Sequence, residues 1–191
     1  GLIEENLFES HPEVSDYEKC TSLDVSTWQQ LHEISPYELS TAVSKIVHIE
    51  GPVHIDEVIR RIREYWGLKR SGKRIQDNIN NAITIASQHG SITKKGNFLY
   101  APTSRIRVRR RTDDPSPKIE LISDEEIAEA IIIVLKHQFS TPQNELAVPV
   151  SRLFGFKSTS SRTAEQIDRV IKKMLRKKLI TKNAYGLITL Q

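Results

Sequence analysis

The side chains with the clearest potential for chemistry lie on one face of residues 73–88, where polar groups recur at helical spacing. Two cations stand at its start, where a helix N-terminus can hold phosphate, and amides follow that can pair with adenine edges. Asp77 lies among them and opposes tight phosphate contact. The sequence predicts a nucleic-acid contact through Lys73, Arg74, Asn80, Asn81 and Gln88. The alternative is a solvated helix face.

A second stretch, residues 162–176, carries more cations at the same helical spacing. Lysine and arginine neutralise phosphates without reading base sequence, so this face favours sequence-independent backbone binding. Glu165 interrupts the cations. The predicted contacts are Arg162, Arg169, Lys172, Lys173 and Arg176.

A run of five arginines within seven residues is a third candidate: Arg105, Arg107, Arg109, Arg110 and Arg111. Such a run fits a phosphate backbone or a minor groove. Ile106 and Val108 alternate with the arginines, so an edge strand with its arginines in water is an equal alternative. Predicted turns add Lys94, Lys95 and Lys182 as further phosphate contacts.

These candidates are positioned by a pattern of three helices and a hairpin. Ser35-Pro36-Tyr37-Glu38 marks the first helix start, with the serine and glutamate of a capping box. Apolar stripes predict a second helix at 54–66 and a third at 73–88. Two short strands follow, around a turn at 94–97. This order is typical of a winged helix-turn-helix that offers its third helix to the major groove and 94–97 as its wing tip.

The same design occurs twice. A shift of 88 residues aligns the chain with itself without a gap and superposes helix caps, apolar stripes and the strand after the third helix. In the second copy, helices are expected from Ser123, from Thr141 to Phe154 and over 161–178, with Pro149 kinking or shortening the middle one. A second hairpin is expected at Ile180–Lys182 and Leu187–Leu190.

The predicted fold class is mainly α with small β-hairpins (α+β), arranged as two tandem winged helix-turn-helix domains. The expected boundaries are an acidic extension or the end of a preceding domain at 1–34, domain 1 at 35–103, a basic, proline-containing linker at 104–122 and domain 2 at 123–191.

Charge is unevenly distributed along the chain. The net charge is +4, yet residues 1–34 hold eight acids and one base, −7, which leaves +11 for the remainder. A basic body of this kind suits a polyanion, although a surface of mixed charge is equally ordinary. No apolar run is long enough to span a bilayer, so no membrane partner is expected. Because the sequence starts at Gly1 without Met, we expect either an excised fragment or leading residues left by cloning.

Catalytic and metal chemistry find no support in the sequence. None of the six histidines stands at a zinc-ligand spacing, so no metal or other cofactor is expected. Cys20 lies among acids, which raise the pKa of a thiol and disfavour a thiolate nucleophile. It is the single cysteine of the sequence, and this fits a reducing, cytoplasmic compartment. We expect no enzyme activity from these residues.

Part of the chain resembles a known family. The resemblance covers about residues 44–101, and it rests on the run from Ile49 to Ile62 (IEGPVHIDEVIRRI) and on Trp66-Gly67-Leu68, Arg70, Gly72 and Arg74-Ile75. The family is a domain of unassigned function near the C-terminus of large bacterial and archaeal superfamily 1 helicase-like proteins, which often carry a restriction-endonuclease-like domain just upstream. It implies a nucleic-acid-processing context, with the helicase and nuclease domains of the same parent chain as partners. These 191 residues contain no GxxxxGK[ST] loop for ATP.

Together, these patterns predict a non-catalytic module that binds nucleic acid, duplex or junction DNA above all, within a larger helicase- or nuclease-like protein. The alternative is a protein–protein or intramolecular docking module built on winged helices. A transcriptional regulator is a third hypothesis, but the sequence shows neither an effector pocket nor a dimerisation helix. A docking module should carry an apolar patch on a helix face, whereas the faces above are polar.

Overall fold

The computed structural model describes residues 13–191, which form two compact units of α+β class. The first unit comprises residues 18–105, and the second comprises residues 106–191 with 13–17. This division differs from the predicted boundaries in two places. Residues 18–34 are part of the first unit, and residues 106–122, expected as a linker, are part of the second. Residues 1–12 of the predicted acidic extension lie outside the described residues.

The first unit contains three helices: α1 (Pro36–Glu50), α2 (Ile55–Tyr65) and α3 (Lys73–Gln88). Two side chains set the helix starts. The Ser35 hydroxyl accepts a hydrogen bond from the Tyr37 amide at 3.3 Å, and the His54 ring accepts one from the Asp56 amide at 3.0 Å. The helices expected from Ser35, at 54–66 and at 73–88 are therefore present, with ends that agree within a residue.

A three-stranded sheet closes the first unit. Its strands are β2 (Val53–His54), β3 (Thr93–Lys95) and β4 (Phe98–Tyr100), paired antiparallel in the order β2-β4-β3. The predicted hairpin is β3–β4. The short strand β2 between α1 and α2 was not predicted, because two residues are too few to show a period.

Residues 18–34 pack on this unit through buried apolar side chains, among them Leu23, Leu31 and Ile34. Asn78 of α3 donates hydrogen bonds to the carbonyls of Leu31 and Ile34 at 3.0 and 2.8 Å. Asn78 thereby satisfies backbone groups that the irregular segment leaves without helical or sheet partners.

A buried ion pair ties the same segment to the helices. The Glu50 carboxylate, fully buried, accepts hydrogen bonds from the Arg61 guanidinium at 2.7 and 2.9 Å and from the Cys20 amide at 3.0 Å. Burial raises the pKa of the Cys20 thiol, and the charge of Glu50 raises it further, so this thiol stays protonated.

The second unit repeats the helix and sheet order with α4 (Asp124–Gln138), α5 (Ala147–Leu153) and α6 (Ser161–Arg176). Its sheet contains β6 (Ser140–Pro142), β7 (Ile180–Lys182) and β8 (Leu187–Leu190), in the order β6-β8-β7. The helix expected from Thr141 to Phe154 is shorter, as Pro149 predicted, but its expected start at Thr141 is wrong, because Ser140–Pro142 form β6. α5 has seven residues against eleven in α2, and Pro149 lies in its first turn, where the missing amide breaks no helical bond.

The second unit also contains a two-stranded parallel sheet. Strand β1 (Val14–Asp16) pairs with β5 (Val108–Arg110), with Val14 opposite Val108 and Asp16 opposite Arg110. Val108 is fully buried in the core of this unit. Part of the predicted arginine-rich linker is therefore a strand.

Candidate nucleic-acid interface

The polar face of α3 lies opposite the core of the first unit. Ile79, Ala82, Ile83 and Ala86 are buried, and this fixes which side of the helix meets solvent. All five candidates on this helix are exposed: Lys73, Arg74, Asn80, Asn81 and Gln88. Lys94 and Lys95 on the β3–β4 hairpin are exposed too.

This face is nearly neutral. The Lys73 amine lies 3.4 Å from the carboxylate of Asp77, one helical turn away, and both side chains are more than half exposed. Lys95 lies over the ring of Tyr100 at 5.0 Å. The helix face alone offers hydrogen bonds but little net positive charge, because Asp77 offsets one of its two cations; Lys94 and Lys95 add charge on the adjoining hairpin.

The corresponding face of α6 is positioned in the same way, with Thr163, Ile167, Val170, Ile171 and Met174 buried. Four of its candidates are exposed, namely Arg162, Arg169, Lys172 and Arg176, and Lys173 is partly buried.

Ion pairs hold most of these α6 cations. The Arg169 guanidinium donates to both carboxylate oxygens of Asp124, at 2.6 and 3.0 Å, and the Lys173 amine lies 3.3 Å from the same carboxylate. The Lys172 amine lies 3.0 Å from Asp168, and Arg162 pairs with Glu120. All these side chains are partly exposed, so the pairs are weak enough for a competing phosphate to displace.

The ion pair between Asp124 and Arg169 shifts the pKa of both groups. The hydrogen bond from Arg169 lowers the pKa of Asp124, and its charge and that of Lys173 add to the effect. The hydrogen bond to Asp124 in turn raises the pKa of Arg169. Asp124 is thus ionised at neutral pH and occupies the donors that a phosphate would use.

The cations at the C-terminal end of α6 are different. Arg176, Lys177 and Lys178 are exposed and form no ion pair within residues 13–191. Residues 169–191 carry seven lysines and arginines and no aspartate or glutamate. Lys177 and Lys178 were not among the predicted contacts, although the absence of acids around them is visible in the sequence.

The β7–β8 hairpin extends this acid-free surface. Lys182 is exposed at the end of β7, and Tyr185 at the tip is 88% exposed. The Asn183 side chain accepts hydrogen bonds from the amides of Tyr185 and Leu187 at 2.9 and 3.0 Å, which fixes the turn predicted at Asn183–Gly186. Tyr185 was also missed in the prediction, which considered only cations and amides.

The arginine run requires a correction. Arg109 is 1% exposed, and its guanidinium lies 2.7 Å from the fully buried carboxylate of Glu126. Arg111 reaches the same carboxylate at 2.8 Å and is 11% exposed. Neither guanidinium group is positioned to contact a phosphate, because both bind the buried Glu126 carboxylate inside the second unit. Arg105 is exposed, whereas Arg107 and Arg110 are partly buried.

Aromatic rings complete the environment of this pair of arginines. The Tyr17 ring lies 4.7 Å from the Arg109 guanidinium and 4.9 Å from that of Arg111, and the Phe154 ring lies 5.6 Å from Arg111. Burial alone would raise the pKa of Glu126, but the charges and hydrogen bonds of Arg111 and Arg109 outweigh it, so the pKa is lowered. We call Arg109, Arg111 and Glu126 the buried clasp, since they join β5 to α4.

The exposed groups support electrostatic and hydrogen-bonding contact. Across residues 13–191, no cluster of three or more histidine, cysteine or acidic side chains could hold a metal ion. In the same part of the chain, no helix is long and apolar enough to cross a membrane.

Comparison with known proteins bears on the first unit only. No curated protein and no solved structure matches this chain. Residues 29–77, from the approach to α1 into the second turn of α3, match a family described as "Protein of unknown function (DUF3320)". The expected resemblance to a domain family of unassigned function is confirmed over that segment.

Proposed function

We propose that each unit is a winged helix. Both run in the order helix, short strand, helix, helix, hairpin, and in both the short strand pairs with the second strand of the hairpin. α3 and α6 then hold the position of the helix that enters a major groove, and the hairpins are wings.

On this basis the chain is a non-catalytic DNA-binding module whose second unit supplies most of the affinity. The observation that carries the proposal is the acid-free surface at the end of α6 and on the adjoining hairpin. Arg176, Lys177, Lys178 and Lys182 are its exposed cations, and residues 169–191 contain no aspartate or glutamate, although the charge of Lys182 reaches Asp168 just before this stretch. A surface of this composition attracts phosphates and gives affinity that falls with salt.

A docking role is the second candidate, and it is favoured for the first unit. Its α3 face is nearly neutral, and Trp28 is 80% exposed where the matched segment begins. Exposed tryptophan is rare on a surface that contacts only water, and it is frequent at protein interfaces. The partner we propose is a helicase- or nuclease-like domain of the same parent chain.

The test of DNA binding is fluorescence anisotropy with a 25-base-pair duplex across a range of salt concentrations. We expect a log–log salt slope of about −4, which corresponds to four or five phosphates. Replacing Arg176, Lys177 and Lys182 together by alanine should move the slope to about −1.3, because each lost phosphate contact is worth about 0.9.

The matched control removes the same charge elsewhere. Lys19, Lys118 and Lys136 are exposed and lie outside the proposed surface, so their joint replacement by alanine should leave the slope within about 0.5 of the unchanged protein. Absence of binding at low salt would refute the DNA proposal and leave docking as the function. Equal effects of the two triple variants would refute the location of the surface.

A further inference from the structure

Tyr185 is the most exposed large apolar or aromatic side chain among residues 13–191, and the core does not explain it. In the strand that follows, the fully buried Ile188 already anchors the hairpin to the second unit. An exposed ring on an otherwise polar turn keeps a large apolar face in water, which contributes nothing to folding.

The turn presents this ring in a fixed place. Asn183 binds two amides of the turn through its side chain, and its backbone adds two more bonds. The Asn183 amide donates to the Leu187 carbonyl at 2.9 Å, and the Gly186 amide donates to the Asn183 carbonyl at 3.0 Å. A ring held on an ordered turn loses little conformational entropy when it binds a partner.

The first unit provides an internal comparison. Its hairpin turns through Gly96 and Asn97 and carries no aromatic residue at the tip. Asn97 is the residue that the 88-residue shift places on Tyr185. The exposed ring therefore belongs to the unit with the acid-free basic surface and is missing from the unit with the nearly neutral face.

Charge around the ring identifies the chemistry of its partner. Lys182 precedes the turn by a single residue, and the cations of the α6 end, Arg176 to Lys178, precede β7. An aromatic ring beside cations matches a nucleic-acid strand, because cations bind its phosphates while the ring stacks on a base. Within a continuous duplex the bases are already stacked on one another, so a ring at a wing tip finds a free base face only where pairing ends.

We infer that the β7–β8 tip is a stacking site for an unpaired base, and that the second unit prefers the junction between duplex and single-stranded DNA over continuous duplex. The inference rests on the DNA-binding function proposed above and names its substrate. Tyr185 contacts the base, and Lys182 contacts the flanking phosphate.

The test compares the full chain on a blunt duplex and on a fork with the same duplex and two unpaired arms. We expect tighter binding to the fork. Tyr185→Ala should weaken fork binding about tenfold and leave blunt-duplex binding within about twofold, since one stacked base contributes a factor of about 5 to 150. Tyr185→Phe should bind the fork like the unchanged protein, because it keeps the ring.

Two further measurements separate stacking from general effects. Tyr37, which is 66% exposed in the first unit, is the matched control, and Tyr37→Ala should change neither affinity. A 2-aminopurine base at the first unpaired position should lose fluorescence on binding of the unchanged protein and keep it with Tyr185→Ala.

The possible failures are distinct. Duplex binding without fork preference, or fork preference that survives Tyr185→Ala, would overturn the inference and leave the DNA-binding function intact. Binding to neither DNA would overturn both.

Discussion

The buried clasp gives the sharpest test of how the second unit is held together. The carboxylate of Glu126 is fully buried and accepts hydrogen bonds from the Arg109 amide at 3.1 Å and from both guanidinium groups at 2.7 to 3.2 Å. Glu126→Gln keeps the shape and removes the charge. It removes the carboxylate charge that both guanidinium groups bind, and these two cations are only 1% and 11% exposed.

The expected loss is large. Removing one partner of a buried ion pair costs about 3–5 kcal/mol, because the remaining charge stays desolvated. A unit of this size has a free energy of unfolding of about 5–14 kcal/mol. With an m-value of about 2 kcal/mol/M, a loss of 4 kcal/mol lowers the urea midpoint of the second unit by about 2 M.

Two probes can separate the units in one experiment. Both tryptophans, Trp28 and Trp66, lie in the first unit, so tryptophan fluorescence reports the unfolding of that unit, whereas far-UV circular dichroism reports both units. Glu126→Gln should shift the circular dichroism transition and leave the fluorescence transition in place. Glu38 is the repeat counterpart of Glu126 and is exposed, so Glu38→Gln should change stability by less than about 0.5 kcal/mol.

Acid provides an independent check with a defined sign. The folded-state pKa of Glu126 is lowered from 4.5, so its stabilisation is fully present above pH 4.5 and is lost as the pH falls toward the folded-state value. Glu126→Gln should therefore flatten the acid side of the stability profile. A midpoint shift below about 0.3 M in urea would refute the reasoning, since it would mean that the arginines do not depend on this carboxylate.

Three further outcomes follow from the structure. Glu50→Gln should lower the fluorescence midpoint of the first unit, but by less than the shift above, because its buried partner Arg61 keeps the Glu57 carboxylate at 3.1 Å. Lys178 lies in the left-handed region at φ 59°, where the other copy has Gly90 at φ 74°. Lys178→Gly should therefore raise the free energy of unfolding by about 1 kcal/mol, and Gly90→Ala should lower it by a similar amount. Thermal melts check both variants. Asp124→Asn should release Arg169 and Lys173 and steepen the salt slope of DNA binding by about 1–2. Urea titrations should show less than about 1 kcal/mol of lost stability. An unchanged slope would mean that these two cations do not reach phosphate.

The helices and hairpins were predictable because their signals are local. Ser35 and Ser123 cap helices within a few residues of the apolar stripes that they start. The same apolar stripes predicted the exposed faces of α3 and α6, because the face opposite a buried stripe meets solvent. The parallel pair of β1 and β5 was not predictable, because three-residue strands show no period and Val14 and Val108 are far apart in the sequence.

The partners of the charged side chains depend on the tertiary structure and were therefore missed. Ser123 and Glu126 stand at the spacing of a capping box. The Ser123 hydroxyl does accept a hydrogen bond from the Glu126 amide at 3.2 Å, but the carboxylate of Glu126 binds Arg109 and Arg111 instead of returning to the helix start. Arg169 and Asp124 are likewise 45 positions apart in the chain. Sequence spacing indicates which cations are exposed, but only the fold shows which of them already have a carboxylate.

The β1–β5 pair also affects folding during synthesis and the choice of truncated fragments. Parallel neighbours need a crossover connection, and here residues 18–105, an entire folded unit, are that crossover. During synthesis β1 is made first, but its partner β5 is made only after the whole intervening unit. The first unit can therefore fold before the β1–β5 pair of the second unit forms. A gene fragment started at residue 35 would lose β1 and uncover the edge of β5, although it keeps every α-helix. Fragments intended to carry the second unit alone should instead join residues 13–17 to residue 106 through a flexible linker of about a dozen residues, because the linker must run back along the parallel pair.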